Sequence, residues 1–471
     1  MTAIKTQHAI GALVGSAVGD ALGAPFEFKP PGLYRSTYPA PVRGGIGEMC
    51  GGGGFKWKPG EFTDDTQMAL ALAESLIAND GFDAADLWNR WQTWAQSARD
   101  VGTHTREVLA ERSHVGAAER VHNRNGQSAG NGSVMRNTPI ALWAAEDSLD
   151  ALVALATQQA VLTHHDPHNG YGAAIHAAMI RAGMRGDDVF DAIDTVLGIL
   201  PAAARERWAP LLAPGWQPDT GKNNGTAWTC LAEAVWAVRN AATFEEAVVT
   251  AVDLGRDADT VACVAGGIAG ARWGVQSIPS RWTTYLNGTV TGPERERAYD
   301  YSSLQSLARR LLGKHEPVDP ADEPPGGPAR VHDVFPIYAA NRAGAEAAPE
   351  DWRVISLCRV GDGFATRTVR RQVFLVDKPE PHHNENLRAV LTDVIDTIDA
   401  LIAEEASQPI LVHCHGGRSR TAFVLKGWAM RRFRWTEEQA HAWLQESWPR
   451  IDRANERFVK VLQSEPLHYS S

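Results

Sequence analysis

Residues 314–329 read KHEPVDPADEPPGGPA, with prolines at 317, 320, 324, 325 and 328. Proline lacks the amide donor and fixes φ, so this stretch neither continues a helix nor joins a central strand. It reads as a semi-extended linker between two folding units, 1–313 and 330–471. The chain's 471 residues leave each unit long enough to bury its own core, since domains usually run to ~100–200 residues.

The texture differs on the two sides of the linker. Before it, apolar residues recur at i, i+3 and i+4 in MALALAESLIA, ALVALATQQAVL, AAIHAAMIRAGM, CLAEAVWAV and FEEAVVTAV, and alternating strands are absent. That predicts an all-α domain. After it, WRVISLCRV, VFLVD and PILVHC read as short buried strands, and ENLRAVLTDVIDTIDALIAEEA reads as a long amphipathic helix. Strands alternating with helices predict an α/β domain with a mostly parallel central sheet.

Charge is unevenly shared. From Arg330 onward 19 basic residues meet 19 acidic ones, so the formal net charge of −10 belongs to the residues before it. The net charge argues against nonspecific nucleic-acid binding as the main task, and an acidic first domain suits cation binding, with a solvated acidic surface as the alternative. No apolar run near the ~18–20 residues that span a bilayer stands out. The apolar stretch at 9–18 runs into Asp20 and lacks a strong basic flank, so it reads as a buried helix rather than a signal peptide. Five cysteines, at 50, 230, 263, 358 and 414, show no paired spacing. A reducing, cytoplasmic setting without a membrane partner is expected.

Two acidic clusters precede helices of the first domain. One is Glu61-Phe62-Thr63-Asp64-Asp65-Thr66; the other is Gly255-Arg256-Asp257-Ala258-Asp259-Thr260. One acidic N-cap satisfies orphan amides and favours the helix dipole. Two adjacent carboxylates exceed that need and repel each other unless a cation screens them. Residues i and i+2 do not face each other on a helix, so Asp257 and Asp259 converge only through an irregular turn, which Gly255 permits. Oxygen-only donors suit a hard cation such as Mg²⁺ or Mn²⁺.

Five blocks then carry a resemblance: GALVGSAVGDALGAPFEF (11–28), TDDTQMALAL (63–72), GNGSVMRNTPIAL (130–142), THHDPHNGYGAA (163–174) and GRDADTVACVAGGIAGARWG (255–274). In this order they resemble the ADP-ribosylglycohydrolase family. The resemblance implies an all-α fold with a dinuclear Mg²⁺ or Mn²⁺ centre that cleaves ADP-ribose from its acceptor. It implies Thr63, Asp64, Asp65, Asp257, Asp259 and Thr260 as metal ligands, and Glu27 in the metal or water region. It also implies a catalytic role for Asp100, whose other reading is a loop residue after a helix. Gly130, Asn131, Gly132 and Ser133 are candidates to cradle a pyrophosphate; an ordinary turn is the alternative. His164 is a candidate ribose or adenosine contact. The glycine run at 51–54 reads as a flexible loop, with a flap over the site as the functional alternative.

In the second domain, His413-Cys414-His415-Gly416-Gly417-Arg418-Ser419-Arg420-Thr421 follows a strand and precedes a helix. Successive amides of such a loop wrap one phosphate dianion, so Gly416, Gly417, Arg418 and Ser419 are phosphate-binding candidates. Cys414 is the nucleophile candidate and Arg420 a bidentate fork for phosphoryl oxygens. Thr421 is placed to donate to the sulfur as it leaves. This resembles the cysteine-based protein phosphatases of the compact dual-specificity type. The leaving oxygen needs a general acid, for which Asp377 is the candidate and Asp362 the alternative; His382 and His383 read as solvated loop residues. The chain thus reads as a bifunctional hydrolase for ADP-ribosylated and phosphorylated substrates, with arginine-linked ADP-ribose favoured. A phosphatase carrying a non-catalytic ADP-ribose reader is the rival reading.

Overall fold

The computed structural model describes residues 3–219, 221–315, 323–361 and 363–464. Asp362 and linker residues 316–322 lie outside them. The chain divides into two compact units. The first comprises Met1–Ala40, Glu48–Ile278 and Tyr285–Glu316; the second comprises Pro41–Gly47, Pro279–Thr284 and Pro317–Ser471. Two short segments that precede the proline-rich stretch therefore pack with the residues that follow it.

The first unit is helical. Its framework is α1 (Thr6–Gly23), α2 (Asp64–Ala78), α3 (Pro167–Arg185), α4 (Ala227–Arg239) and α5 (Ala258–Trp273). All of α1 from Gln7 to Gly23 is buried, and so is α5 through Ala271. Small residues at four-residue spacing explain how two such helices fit together. A Cβ placed on Gly11, Gly15 or Gly19 would lie 2.3, 2.4 or 2.0 Å from the carbonyls of Gly270, Gly266 or Ala262. One on Gly23 would lie 2.5 Å from Asp259 Cα. The two helices thus run antiparallel with their backbones in contact, and the end of α1 abuts the start of α5.

Thr6–Phe26 reaches the length and apolarity of a membrane span, and 94% of its apolar window is buried inside the unit. This corrects the reading that no run approaches that length. Alternating small residues and Asp20 mask it in the sequence, and packing against α5 accounts for its apolarity. Among its described residues the unit also has a hairpin that helical periodicity did not anticipate: β1 (Asn287–Thr291) pairs antiparallel with β2 (Glu296–Asp300).

The second unit holds a five-stranded sheet in the order β3 (Ala329–Arg330), β4 (Ile337–Asn341), β7 (Ile410–Cys414), β5 (Arg353–Ser356), β6 (Arg370–Gln372). Only the β3–β4 pair is antiparallel. The central β7 is buried at every residue, which is why it reads as a continuous apolar run. Val412 packs with Val394, Ile398 and Trp428 on one face, and Leu411 with Val354 and Ala340 on the other. Those partners come partly from α6 (Leu387–Glu404) and α7 (Ser419–Phe433). The expected strand VFLVD is displaced: the strand is Arg370–Gln372, and the chain then leaves the sheet. The Asn384 side chain takes over, accepting from Val376 N at 3.1 Å and donating to Val376 O at 2.7 Å. A side-chain amide substitutes there for a neighbouring strand.

The backbone contact of α1 with α5 makes a specific demand. Gly19→Ala is expected to destabilise the first unit by at least the ~1–3 kcal/mol typical of overpacked cores, because the new methyl meets backbone rather than a movable side chain. Gly198→Ala, with nothing within 4 Å of its Cβ, is the control and should not lower stability. Thermal unfolding of the two variants checks this.

Candidate active sites

The α1–α5 contact sets the first site. Gly255 adopts φ +70° and Arg256 φ +58°, so the chain turns sharply before α5 begins at Ala258. Asn224 holds this turn: its Oδ1 accepts from Asp257 N at 3.1 Å and its Nδ2 donates to Gly255 O at 3.2 Å. Phe28 N and Arg256 N bond to Arg256 O and Lys29 O at 2.5 and 2.8 Å, which ties the segment carrying Glu27 to the same turn. The irregular turn expected at Gly255 is therefore present.

Asp20 fixes the other cluster. Its buried carboxylate accepts from Thr63 N and Thr66 N at 3.0 Å and from Thr66 Oγ1 at 2.5 Å. It caps α2 from a distant part of the chain. Sequence reasoning missed Asp20 and Asn224 as site-forming residues. A charged residue inside an apolar helix was the available signal for Asp20; for Asn224 there was none.

These constraints place Glu27, Asp64, Asp65, Asp100, Asp257 and Asp259 around one cavity of about 190 Å³, together with Thr260, Gly130, Asn131, Gly132 and His164. Asn131 Nδ2 donates to Asp257 Oδ2 at 2.9 Å, and Thr260 Oγ1 to Asp65 Oδ1 at 3.4 Å. Two predicted residues do not line the cavity. Thr63 is the buried N-cap of α2. Ser133 is fully buried, its Oγ accepting from Asn169 Nδ2 at 2.9 Å. His164 stands against the glycine loop: a Cβ on Gly132 would lie 2.9 Å from its Cε1. The 51–54 run forms a turn closed by mutual Gly52–Trp57 hydrogen bonds of 2.8 Å.

Burial, and then the neighbouring carboxylates, push Asp64, Asp65 and Asp259 well above the usual carboxylate range. Glu27 rises to about 8 through burial and then the charges of Asp100, Asp257 and Asp20. Asp100 rises to about 6 through burial and then Asp257. Asp20 also rises to about 6 through burial, against the pull of its threonine hydrogen bonds. Burial drives His164 far below its ordinary value, and Arg136 and His104 add to this, so its imidazole is neutral. Among the described residues, no three His, Cys, Asp or Glu side chains already form a metal-holding group. The donor set nevertheless fits a hard cation. It is all oxygen, its charges repel one another, and Glu27 Oε2 and Asp65 Oδ2 are buried without a hydrogen-bond partner.

In the second unit, Cys414 ends β7, 1% exposed, opposite Asn341 of β4. The loop turns at Gly417, φ +68°, where a Cβ would lie 2.8 Å from Ala340 O. Trp448 Nε1 donates to Gly417 O at 2.7 Å, and Ser419 Oγ to Asp452 Oδ1 at 2.9 Å. Arg420 Nη1 donates to Leu357 O at 3.1 Å, and its Nε lies 3.7 Å from Asp377 Oδ2. Asp377 Oδ1 in turn accepts from Asn455 Nδ2 at 3.2 Å. The structure thus brings Asp377 to the arginine of the phosphate loop. Thr421 Oγ1 is buried and has no hydrogen-bond partner among the described residues. His413 is held by Ser356 Oγ at 2.8 Å, and burial lowers it to about 3.

A helical unit with a carboxylate-lined cavity and an α/β unit with a cysteine–arginine loop define two hydrolase sites. The ADP-ribosylglycohydrolase family model matches residues 1–321, and the dual specificity phosphatase catalytic domain model matches 360–465. The chain belongs to the ADP-ribosylglycohydrolase family, with a phosphatase domain of the dual-specificity family following. It is 30% identical to an ADP-ribosylarginine hydrolase of Pseudomonas putida (strain GB-1), over 67% of this chain and 80% of that protein. It is 32% identical to the ADP-ribosyl-[dinitrogen reductase] glycohydrolase of Rhodospirillum rubrum, over 64% of this chain and 96% of that protein. A solved structure described as an ADP-ribosylglycohydrolase-related protein complex matches with TM-score 0.51 and 33% identity, over 66% of this chain and 98% of that one.

A divalent cation entering this cavity would have to compete with protons for its carboxylates. Because Asp64, Asp65 and Asp259 are raised well above the usual carboxylate range and the neighbouring Glu27 and Asp100 to about 8 and 6, apparent Mg²⁺ affinity is expected to rise from pH 6 to pH 8, with proton release on binding. Calorimetry in buffers of different ionisation enthalpy measures both. In a separate test, Asp20→Ala should cost about 1–3 kcal/mol for each buried donor it leaves without an acceptor, read as a lower unfolding midpoint.

Proposed function

We propose that the first unit is a metal-dependent hydrolase that removes ADP-ribose from arginine-linked acceptors. The observation that carries this is the cavity around which two helix starts, the Glu27 segment and the loop carrying Asp100 converge six carboxylates. The relative called an ADP-ribosylarginine hydrolase supports the linkage. Asp64, Asp65, Asp257, Asp259 and Thr260 would hold two Mg²⁺ or Mn²⁺ ions. Bound there, the ions supply electrophilic charge that neutralises the carboxylates and polarises oxygen ligands. Glu27, with an unpartnered oxygen in the cavity, takes a proton from the attacking water. Asp100 stabilises positive charge that grows on the ribose as the glycosidic bond breaks. Gly130 and Gly132, packed against neutral His164, would offer backbone to a diphosphate, and Asn131 keeps Asp257 in place.

The second unit is proposed to hydrolyse phosphomonoesters through a cysteinyl-phosphate. The Cys414 thiolate attacks phosphorus, and Arg420 holds two phosphoryl oxygens in its fork. Asp377 protonates the leaving oxygen, and Thr421 donates to the sulfur when water later displaces it. All five cysteines carry free thiols, which supports a reducing, cytoplasmic setting.

Defined ADP-ribosyl-arginine and ADP-ribosyl-serine peptides, with and without Mg²⁺, test the first reading. Free ADP-ribose is expected from the arginine peptide, with loss in EDTA and in Asp259→Ala. Release in EDTA would overturn the metal assignment, and metal-loaded protein that binds but releases nothing would point to a reader. For the second unit, Cys414→Ser should abolish aryl phosphate turnover. Asp377→Asn should slow poor leaving groups most, by the 10²–10⁴-fold typical of general acids; an equal loss for nitrophenyl and alkyl phosphates would remove Asp377 from that role.

A further inference from the structure

An anion of the chain itself sits beside the phosphate loop. Glu323 Oε2 accepts from Arg418 Nη2 at 3.0 Å and from Arg450 Nη2 at 2.6 Å. Its other oxygen rests against the loop, where a Cβ placed on Gly416 would lie 3.3 Å from Glu323 Oε1. The contact joins residues two and four positions after the nucleophile to a glutamate inside the proline-rich stretch.

The segment carrying Glu323 is anchored at the strand end that also positions Cys414. Asn341, register partner of Cys414, donates from Nδ2 to Pro324 O at 2.9 Å, accepts at Oδ1 from Gly326 N at 2.8 Å, and donates from its backbone N to Gly326 O at 2.9 Å. Glu323 is therefore held at the loop by neighbouring backbone rather than reaching it by chance. Arg420 is the fork for the scissile phosphate. Arg418 and Arg450 are two further guanidinium groups, and one carboxylate answers both.

Two guanidinium groups converging on one carboxylate form a ready-made oxyanion site. The side chains of Arg418, Arg450 and Glu323 are 50%, 33% and 29% exposed. Ion pairs at that exposure are weak, so a competing anion displaces the carboxylate readily. A phosphate or carboxylate borne by the substrate offers the same acceptor geometry, and a phosphate offers more charge.

We propose that Arg418 and Arg450 form a second anion subsite, occupied by Glu323 until substrate arrives. It selects phosphomonoesters that carry another anionic group near the scissile phosphate. The proposal rests on the phosphatase reading and adds the substrate class to it.

The test compares phenyl phosphate with 3-carboxyphenyl phosphate and with resorcinol bisphosphate, using the full-length chain. The readout is kcat/KM for each probe bearing a second anionic group relative to phenyl phosphate. The wild type is expected to prefer the probes with a second anion. Glu323→Ala should raise that ratio several-fold, with Glu323→Gln between the two, and Arg450→Ala should bring it close to one. The two probes separate a carboxylate from a phosphate as the second group. A merely structural Glu323 would shift the unfolding midpoint and leave the ratio unchanged, and identical ratios in all four proteins overturn the proposal. Should phenyl phosphate turnover be absent, or persist in Cys414→Ser, the phosphatase reading fails separately. Calorimetry of pyrophosphate and inorganic phosphate on Cys414→Ser then still decides the subsite. Pyrophosphate should bind more tightly, by a margin that Glu323→Ala widens and Arg450→Ala removes; equal affinities contradict it.

Discussion

Two helices of the first unit touch along their backbones, and the rest of that unit's chemistry follows from this contact. Gly11, Gly15 and Gly19 of α1 meet Gly270, Gly266 and Ala262 of α5 with no room for a side chain. Antiparallel register then has one outcome at the far end. Gly23 lies against Asp259, so Asp20 and Glu27, near the end of α1, come to the level where Asp257 and Asp259 begin α5. Asp20 reaches across to cap α2 and thereby delivers Asp64 and Asp65 to the same place.

Carboxylates gathered in this way are costly without a partner. Removing charge from water and placing like charges together both favour protonation, and the upward shifts of Asp64, Asp65, Asp259 and Glu27 have these causes. The fold accepts this cost because backbone packing and long-range caps over-determine the arrangement. Sites that oppose stability in this way are characteristic of function. The second unit gathers the opposite sign: beside a strand end and a tight turn at Gly417 stand the guanidinium groups of Arg418 and Arg420.

Much of this was legible in the sequence, for identifiable reasons. Helical periodicity and the apolar run of β7 are local signals, so the helical first unit and the mostly parallel sheet of the second could be read directly. The acidic pairs at 64–65 and 257–259 were legible because two adjacent charges exceed what a helix cap requires. Asp20 and Asn224 were not, since each acts on backbone more than 30 positions away. The strand at 373–377 was misread because the side chain of Asn384 satisfies Val376, and periodicity does not report such a replacement. Ser133 drew attention as part of a glycine-rich turn, yet its neighbour Gly132 lines the cavity while Ser133 faces Asn169.

The central claim is that helix register builds a divalent-cation site. Electron paramagnetic resonance of Mn²⁺ added to the full-length chain at neutral pH tests it most directly, because free and bound ions give distinct signals. The account predicts two tightly bound ions per chain, displaced by Mg²⁺ and lost in the Asp64→Asn, Asp259→Asn double variant. Mn²⁺ that stays free, or that binds equally to the double variant, would contradict it.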